Sequence, residues 1–445
     1  MKVIIAGAGA VGTHLAKLLA GEQQDIVLID ESAEKLSKLE SNFDLLTVEA
    51  KPTSINNLKD AGISGADLFV AVTPEESRNV TACILAHRLG ARKTVARIDN
   101  FEYLQPKNLE FFRSLGVDAL IYPELLAAKE IADSLRKSWI RQWWEFAGGA
   151  LVMLGVKVRA GSPMLGIPFM SLKKEEPYHI VAIKRGEETI IPTGSDCVMA
   201  DDLVFIMASR NSLAYIRRIT GKDAYQKIKN VLIMGGSRIA VNAARLLMRE
   251  EMTVKIIESD LARCEWLTEM LPSDVMVIHG DGRDRELLLS EGIDSAQAFV
   301  ALTDNAETNI LTCVAAKQIG NLKTVAEVEN IDFIRMAESF DIAGVINKKK
   351  IAASTIYQML LDADVNNVKS LTFADADVAE FTVSEKARVT KGLVKDLDLP
   401  QGATIGGLIR KKEGMLVNGN TQILPGDHVV VFCLGSMIKK LEKYF

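Results

Sequence analysis

Gly7-Ala8-Gly9-Ala10-Val11-Gly12 follows the apolar run Val3-Ile4-Ile5-Ala6 and leads into a stretch of helical character ending near Ala20. A strand that ends in such glycines and opens a helix can turn tightly, approach an anion closely and aim N–H groups of the helix N-terminus at its oxygens. A Cβ in that loop would block a pyrophosphate. Asp30 closes the next apolar run, Ile26 to Asp30, 18 residues after Gly12. A carboxylate there can accept hydrogen bonds from ribose hydroxyls and would repel a ribose 2′-phosphate. Loop and carboxylate together predict a site for NAD(H), ATP or ADP rather than NADP, without choosing among the three.

Outward from this loop, Val3–Ala6, Ile26–Asp30, Leu45–Glu49, Leu68–Val72, Thr94–Ile98 and Ala119–Tyr122 read as strands. Helical patterns such as His14–Ala20, Ala33–Leu39 and Glu75–Leu89 lie between them. Runs of Val, Ile and Leu on both faces demand a parallel sheet covered by helices, so the first unit is an α/β, doubly wound, Rossmann-like domain. The pattern then repeats: Gly235 follows Gly7, Glu258 follows Asp30 and Gly414 follows Gly186, each at a spacing of 228 positions. Between Thr73–Asn79 and Thr303–Asn309 the spacing is 230. Such recurrence implies duplication. After each α/β unit the texture changes to short strands and tight turns, a small α+β domain. The expected units are 1–138, 139–224, 225–366 and 367–445.

The second loop reads Gly235-Gly236-Ser237-Arg238-Ile239-Ala240, with Ser237 and Ala240 in place of the second and third glycines. Glu258 keeps the ribose position and Arg238 could reach a phosphate, so this is either a weaker second site or a decayed copy. Gly280-Asp281 follows the third strand of the second half, where the first half has Ala50-Lys51. Thr73-Pro74 and Thr303 end the fourth strands, at the carboxyl edge where open α/β sheets bind ligands. Arg97, ending the fifth strand, could meet a terminal phosphate or form a surface salt bridge; Glu327 replaces it in the second half. Trp139, Trp143 and Trp144 are read as lying on a connecting helix, packing between domains or subunits.

Composition narrows the function. The 445 residues are 48% hydrophobic and 25% charged, as in ordinary globular domains, and the net charge of −5 gives no pull toward nucleic acid. Apolar stretches such as Ala150–Val158 fall short of the roughly 20 residues of a membrane span, and the apolar start is better explained as the glycine-loop strand than as a signal peptide. A cytoplasmic protein is expected. The five cysteines are scattered and read as small buried hydrophobes; the five histidines show no metal-ligand spacing, and no nucleophile motif occurs. The expectation is therefore a binding protein without metal or catalysis. An NAD-dependent oxidoreductase remains the rival, because the first-half fingerprint alone admits hydride transfer. A scaffold with vestigial sites is the third reading.

With the glycine loop, Asp30, Thr73-Pro74-Glu75-Glu76-Ser77-Arg78-Asn79, Gly280-Asp281 and the two small domains in place, the chain resembles the TrkA family. These are regulatory subunits of Trk potassium uptake systems, built from tandem regulator-of-potassium-conductance (RCK) domains. The resemblance runs nearly the whole length. It implies a homotetrameric ring on the cytoplasmic face of the membrane, beneath a TrkH-like potassium-translocating subunit, that changes shape with bound NAD(H), ATP or ADP. It assigns nucleotide contacts to Gly7, Ala8, Gly9, Ala10, Val11, Asp30, Thr73 and Arg97. Lys51 departs from the family's aspartate, and the second loop lacks two glycines.

Overall fold

A computed structural model describes residues 1–20, 24–41, 43–172, 177–320, 322–330, 332–360, 365–370, 376–434 and 437–445. The first six strands are β1 (Lys2–Ala6), β2 (Asp25–Asp30), β3 (Leu46–Glu49), β4 (Leu68–Ala71), β5 (Thr94–Arg97) and β6 (Ala119–Ile121). With them run α1 (Ala10–Ala20), α2 (Ala33–Glu40), α3 (Ile55–Asp60), α4 (Glu76–Arg88), α5 (Pro106–Ser114) and α6 (Pro123–Arg136). The sheet is parallel, in the order β3-β2-β1-β4-β5-β6. Both faces are covered, as the apolar runs require: Val3 and Ile5 pack on Leu15 and Leu19, whereas Ile4 and Ala6 pack on Leu58, Ala82 and Cys83. The winding reverses between β1 and β4, which opens a crevice beyond their carboxyl ends.

The first small domain holds β7 (Gln142–Phe146), β8 (Leu151–Lys157), β9 (Tyr178–Arg185), β10 (Glu188–Ile190), β11 (Leu203–Ala208) and α7 (Leu213–Ile219), in an antiparallel sheet ordered β10-β9-β11-β8-β7. The tryptophans are not on a helix, contrary to the sequence reading. Trp143 and Trp144 belong to β7, and Trp139 lies in the turn between α6 and β7. Burial of Gln142, Trp144 and Phe146 follows the two-residue period of a strand, with Trp144 against Phe205 at 6.3 Å between ring centroids. Trp143 faces the other way and donates to Glu145 Oε1 at 2.9 Å.

The second half repeats the plan with β12 (Asn230–Met234), β13 (Thr253–Glu258), β14 (Met276–His279), β15 (Ala298–Ala301), β16 (Lys323–Glu327) and β17 (Gly344–Ile346). Its helices are α8 (Arg238–Arg249), α9 (Leu261–Met270), α10 (Arg285–Ser290), α11 (Ala306–Ile319), α12 (Asp332–Ser339) and α13 (Lys348–Leu360). The strand order, β14-β13-β12-β15-β16-β17, matches the first sheet. The last unit contains β18 (Val365–Ser370), β19 (Ala376–Thr382), β20 (Ala403–Arg410), β21 (Glu413–Leu416), β22 (His428–Leu434) and α14 (Ile438–Glu442), in the order β18-β19-β22-β20-β21.

One sequence equivalence needs correction: Gly186 matches Lys411, not Gly414. Arg185 faces Glu188 across the first hairpin, as Arg410 faces Glu413 across the second. Both arginines grip an aspartate, Asp202 at 2.8 Å and Asp427 at 2.7 Å, and both donate to a carbonyl, of Cys197 and Gln422 respectively. Lys411 and Lys412 adopt φ of 51° and 71°, the left-handed turn that glycine supplies at Gly186. Gly414 answers a different need, since a Cβ there would sit 2.3 Å from the Ala150 carbonyl oxygen.

The halves interlock by exchanging the helix after the sixth strand. In α6, Ala127, Ala128, Ile131 and Leu135 pack with Ile239, Ala243, Ala244 and Leu247 of α8. In α13, Ala352, Ala353 and Ile356 pack with Leu15, Ala16 and Leu19 of α1. The small sheets also meet, with Phe205 and Phe432 6.1 Å apart.

Candidate functional site

Each α/β unit carries a cleft at the switch point of its sheet. Gly7 has φ 113° and Gly235 φ 96°; an added Cβ would press on the strand beside it, 3.0 Å from Thr73 N or 2.8 Å from the Leu302 carbonyl. Gly12 is fixed by packing, because a Cβ would lie 1.9 Å from Gly7 O. Gly9 differs, since its added Cβ would meet nothing within 4 Å. The space over Gly9 is therefore open to a ligand, and the loop offers no Cβ to fill it. At the corresponding position Ser237 accepts from Ala240 N at 3.3 Å, capping α8 and using one N–H that an anion would otherwise meet.

The two carboxylates are held alike. Asp30 Oδ2 accepts the Ala8 N–H at 2.7 Å and Oδ1 accepts the Ser32 N–H at 2.9 Å. Glu258, one methylene longer, accepts Gly236 N–H at 2.6 Å and Asp260 N–H at 2.9 Å. Both stand beside the loop, where the sequence put the ribose. At the ends of β4 and β15 a buried asparagine makes the same four bonds. Asn79 Oδ1 accepts from Thr73 N and Oγ, and its Nδ2 donates to the carbonyls of Thr73 and Arg97, all at 2.7–2.9 Å. Asn309 does so with Thr303 N, Thr303 Oγ and the carbonyls of Thr303 and Glu327. These asparagines set the height of each threonine at the cleft edge.

The first cleft, of about 260 Å³, brings together Gly7, Asp30, Thr73 and Pro74 with Lys35 and Arg78. Ala8 joins through its N–H, and Ala10, Val11 and Gly12 form the first turn of α1 beneath it. Arg97 is not among its lining residues; it faces Glu124 at 3.7 Å, the ion-pair alternative. The second cleft is larger, about 850 Å³, and gathers Gly235, Gly236, Ser237, Glu258, Asp281 and Thr303. Arg238 is not among its lining residues: it reaches back to Asp99 of the first half at 2.6 Å, because α8 starts against that unit. Two other arginines line the cleft. Arg263 donates to Gly236 O at 2.7 Å and lies 3.9 Å from the Trp266 ring, and Arg283 holds Asp281 at 2.7 Å, lowering that carboxyl below its ordinary range. The helical spacing of Arg263 and Trp266 on α9, just after Glu258, was the available signal. Among the described residues no group of three His, Cys, Asp or Glu side chains could hold a metal ion, and no helix is long and apolar enough to cross a membrane.

The TrkA-N domain family matches residues 3–123 and 231–348, and the TrkA-C domain family matches residues 153–221 and 378–445. A Trk system potassium uptake protein TrkA of Halomonas elongata is 32% identical over 457 residues, covering 100% of this chain and 98% of that one. The protein of the same name from Vibrio alginolyticus is 33% identical, covering 97% and 95%. Among solved structures, the GsuK channel superposes with a TM-score of 0.63 at 16% identity, over 99% of this chain and 78% of its own. The GsuK channel bound to NAD gives 0.61 at 17%, over 99% and 78%. These low identities speak for the fold, and the full-length relatives for descent: the chain belongs to the TrkA family.

Proposed function

We propose that this chain is the nucleotide-sensing regulatory subunit of a potassium uptake system, acting as a homotetrameric ring on the cytoplasmic face of a separate TrkH-like membrane subunit. The observation that carries the proposal is the linkage between loop, carboxylate and exchanged helix. In the first half Asp30 holds the loop amide of Ala8, and the loop opens α1, which packs against α13 of the second half. In the second half Glu258 holds Gly236, and that loop opens α8, which packs against α6 of the first. A nucleotide would supply ribose hydroxyls that compete with the loop amide for the carboxylate, and phosphates for the N-terminus of α1. Any resulting shift of α1 passes directly to the other half. A ligand preferring one ring conformation tenfold moves the equilibrium by about 1.4 kcal/mol.

The test is potassium flux in vesicles containing the membrane subunit, with and without this protein and NAD(H), ATP or ADP. Nucleotide-dependent flux, weakened by Asp30→Ala, is expected; flux that ignores both protein and nucleotide while the two proteins co-purify overturns the proposal. The oxidoreductase alternative is tested in parallel by NADH turnover with small carbonyl compounds. Sustained turnover abolished by Gly9→Asp would restore it.

A further inference from the structure

A cavity of about 560 Å³ lies at the opposite edge of the second parallel sheet from its nucleotide cleft. Its walls come from the turn between α6 and β7, the end of β8, the connection 222–228 and the amino ends of β15, β16 and β17. Six cationic side chains line it: Arg141, Lys157, Arg159, Lys222, Lys317 and Lys323. One carboxylate among them, Asp341, receives Arg141, Arg159 and, at 2.9 Å, Lys317. Asp201 pairs with Arg159 at the rim at 2.5 Å, and Glu338 adds a nearby carboxyl that burial holds above its ordinary range. Lys323 is spent on the carbonyls of Ser134 and Ile140, at 2.6 and 2.9 Å.

Lys157 and Lys222 remain. Among the described residues neither has an ion pair or a hydrogen bond from its ammonium, and Lys222 is only 3% exposed, with the Tyr225 ring 4.9 Å away. Burial, with Arg159 and Arg141 beside it, pushes Lys222 down to about 8, and burial and Arg141 lower Lys157. Asp341 attracts both ammoniums but is already shared by Arg141, Arg159 and Lys317, so it offsets their burial only in part. A buried ammonium with so little counter-charge is costly, and a cationic cavity with low-dielectric walls concentrates anions.

We infer that this cavity binds a small phosphorylated anion, with Lys157 and Lys222 as the ligands that receive its charge. The volume is in the range of small-molecule sites and exceeds what one phosphate needs, and Trp139 and Tyr225 among the walls provide apolar surface for an organic portion. Because the walls belong to the first small domain, the connection and the second α/β unit, an occupant would bridge all three.

The probes are inorganic pyrophosphate and AMP, titrated calorimetrically into the full chain carrying Gly9→Asp and Ser237→Asp, which block the two clefts. Binding that weakens with added salt and falls at least tenfold in Lys157→Met/Lys222→Met is expected. Pyrophosphate binding stronger than AMP binding identifies free phosphates as the occupant, and the reverse order an organic phosphate. Melting without anion provides an independent readout. Lys222→Met should raise the melting temperature, since it removes an unpaired buried charge, and should abolish the further rise that pyrophosphate gives the parent protein. Failure of both probes to bind at millimolar concentration, equal binding to the double variant, or a lowered melting temperature in Lys222→Met overturns the inference. None of these readouts involves potassium flux, so they stand or fall separately from the regulatory proposal.

Discussion

Replacing Asn79 with leucine tests whether the buried asparagine holds the edge of the first cleft. Leucine nearly matches its volume, so little cavity forms, but four hydrogen bonds disappear at a residue 1% exposed. Thr73 N, Thr73 O and Arg97 O then lack their side-chain partner in a dry environment. The Thr73 hydroxyl has a fallback in Glu75 O at 3.4 Å. At about 1 kcal/mol for each of the three backbone groups after relaxation, the local cost is roughly 3 kcal/mol. That corresponds to about a hundredfold faster opening. Hydrogen–deuterium exchange followed in a peptide covering residues 69–79 should show it, because local opening is what exchange reads. Asn309→Leu should do the same at Thr303 while leaving the first peptide unchanged, as the two asparagines share no partner. Exchange within fivefold of the parent in both variants would refute the reasoning, and the threonines would then owe their position to the strands alone.

Gly12→Ala should cost about 3 kcal/mol in ligand-free protein, since its methyl would lie 1.9 Å from Gly7 O, whereas Gly9→Ala, with open space, should leave the melting temperature unchanged and weaken nucleotide binding; denaturant unfolding and titration separate the two. His14 is pushed down to about 4 by burial and by Lys350 and Lys17. Above its ordinary value of 6.5 both folded and unfolded states are neutral, but from there toward 4 only the unfolded state takes the proton, so stability should fall across that window. His14→Gln should flatten the dependence of melting temperature on pH there. Arg238→Ala removes an exposed ion pair with Asp99 and should change stability by less than about 1 kcal/mol and nucleotide affinity hardly at all, read by thermal melting and calorimetry.

Local chemistry determined a good deal. Strands buried on both faces carry continuous Val, Ile and Leu, so β1, β2 and β4 were legible to within a residue or two, and with them the glycine turn and the carboxylates at Asp30 and Glu258. Gly7 and Gly235 were legible because a left-handed backbone leaves a residue-specific mark. That same mark misled at Gly186: a turn can be built by Lys411 and Lys412, and the true register is kept by Arg185–Asp202 and Arg410–Asp427, pairs separated by 17 residues. In β7 the alternation of Gln142, Trp144 and Phe146 was present but short, and tryptophans four and five apart mimic a helix face. What only the tertiary structure decided are contacts between segments far apart in the chain. Arg238 turned to Asp99, Arg97 to Glu124, α6 and α13 crossed to opposite halves, and six cations between positions 141 and 323 gathered in one cavity, three of them on Asp341. Periodicity and residue type report the face on which a side chain lies. Which distant segment meets that face is set by the packing of whole layers, and no local pattern encodes it.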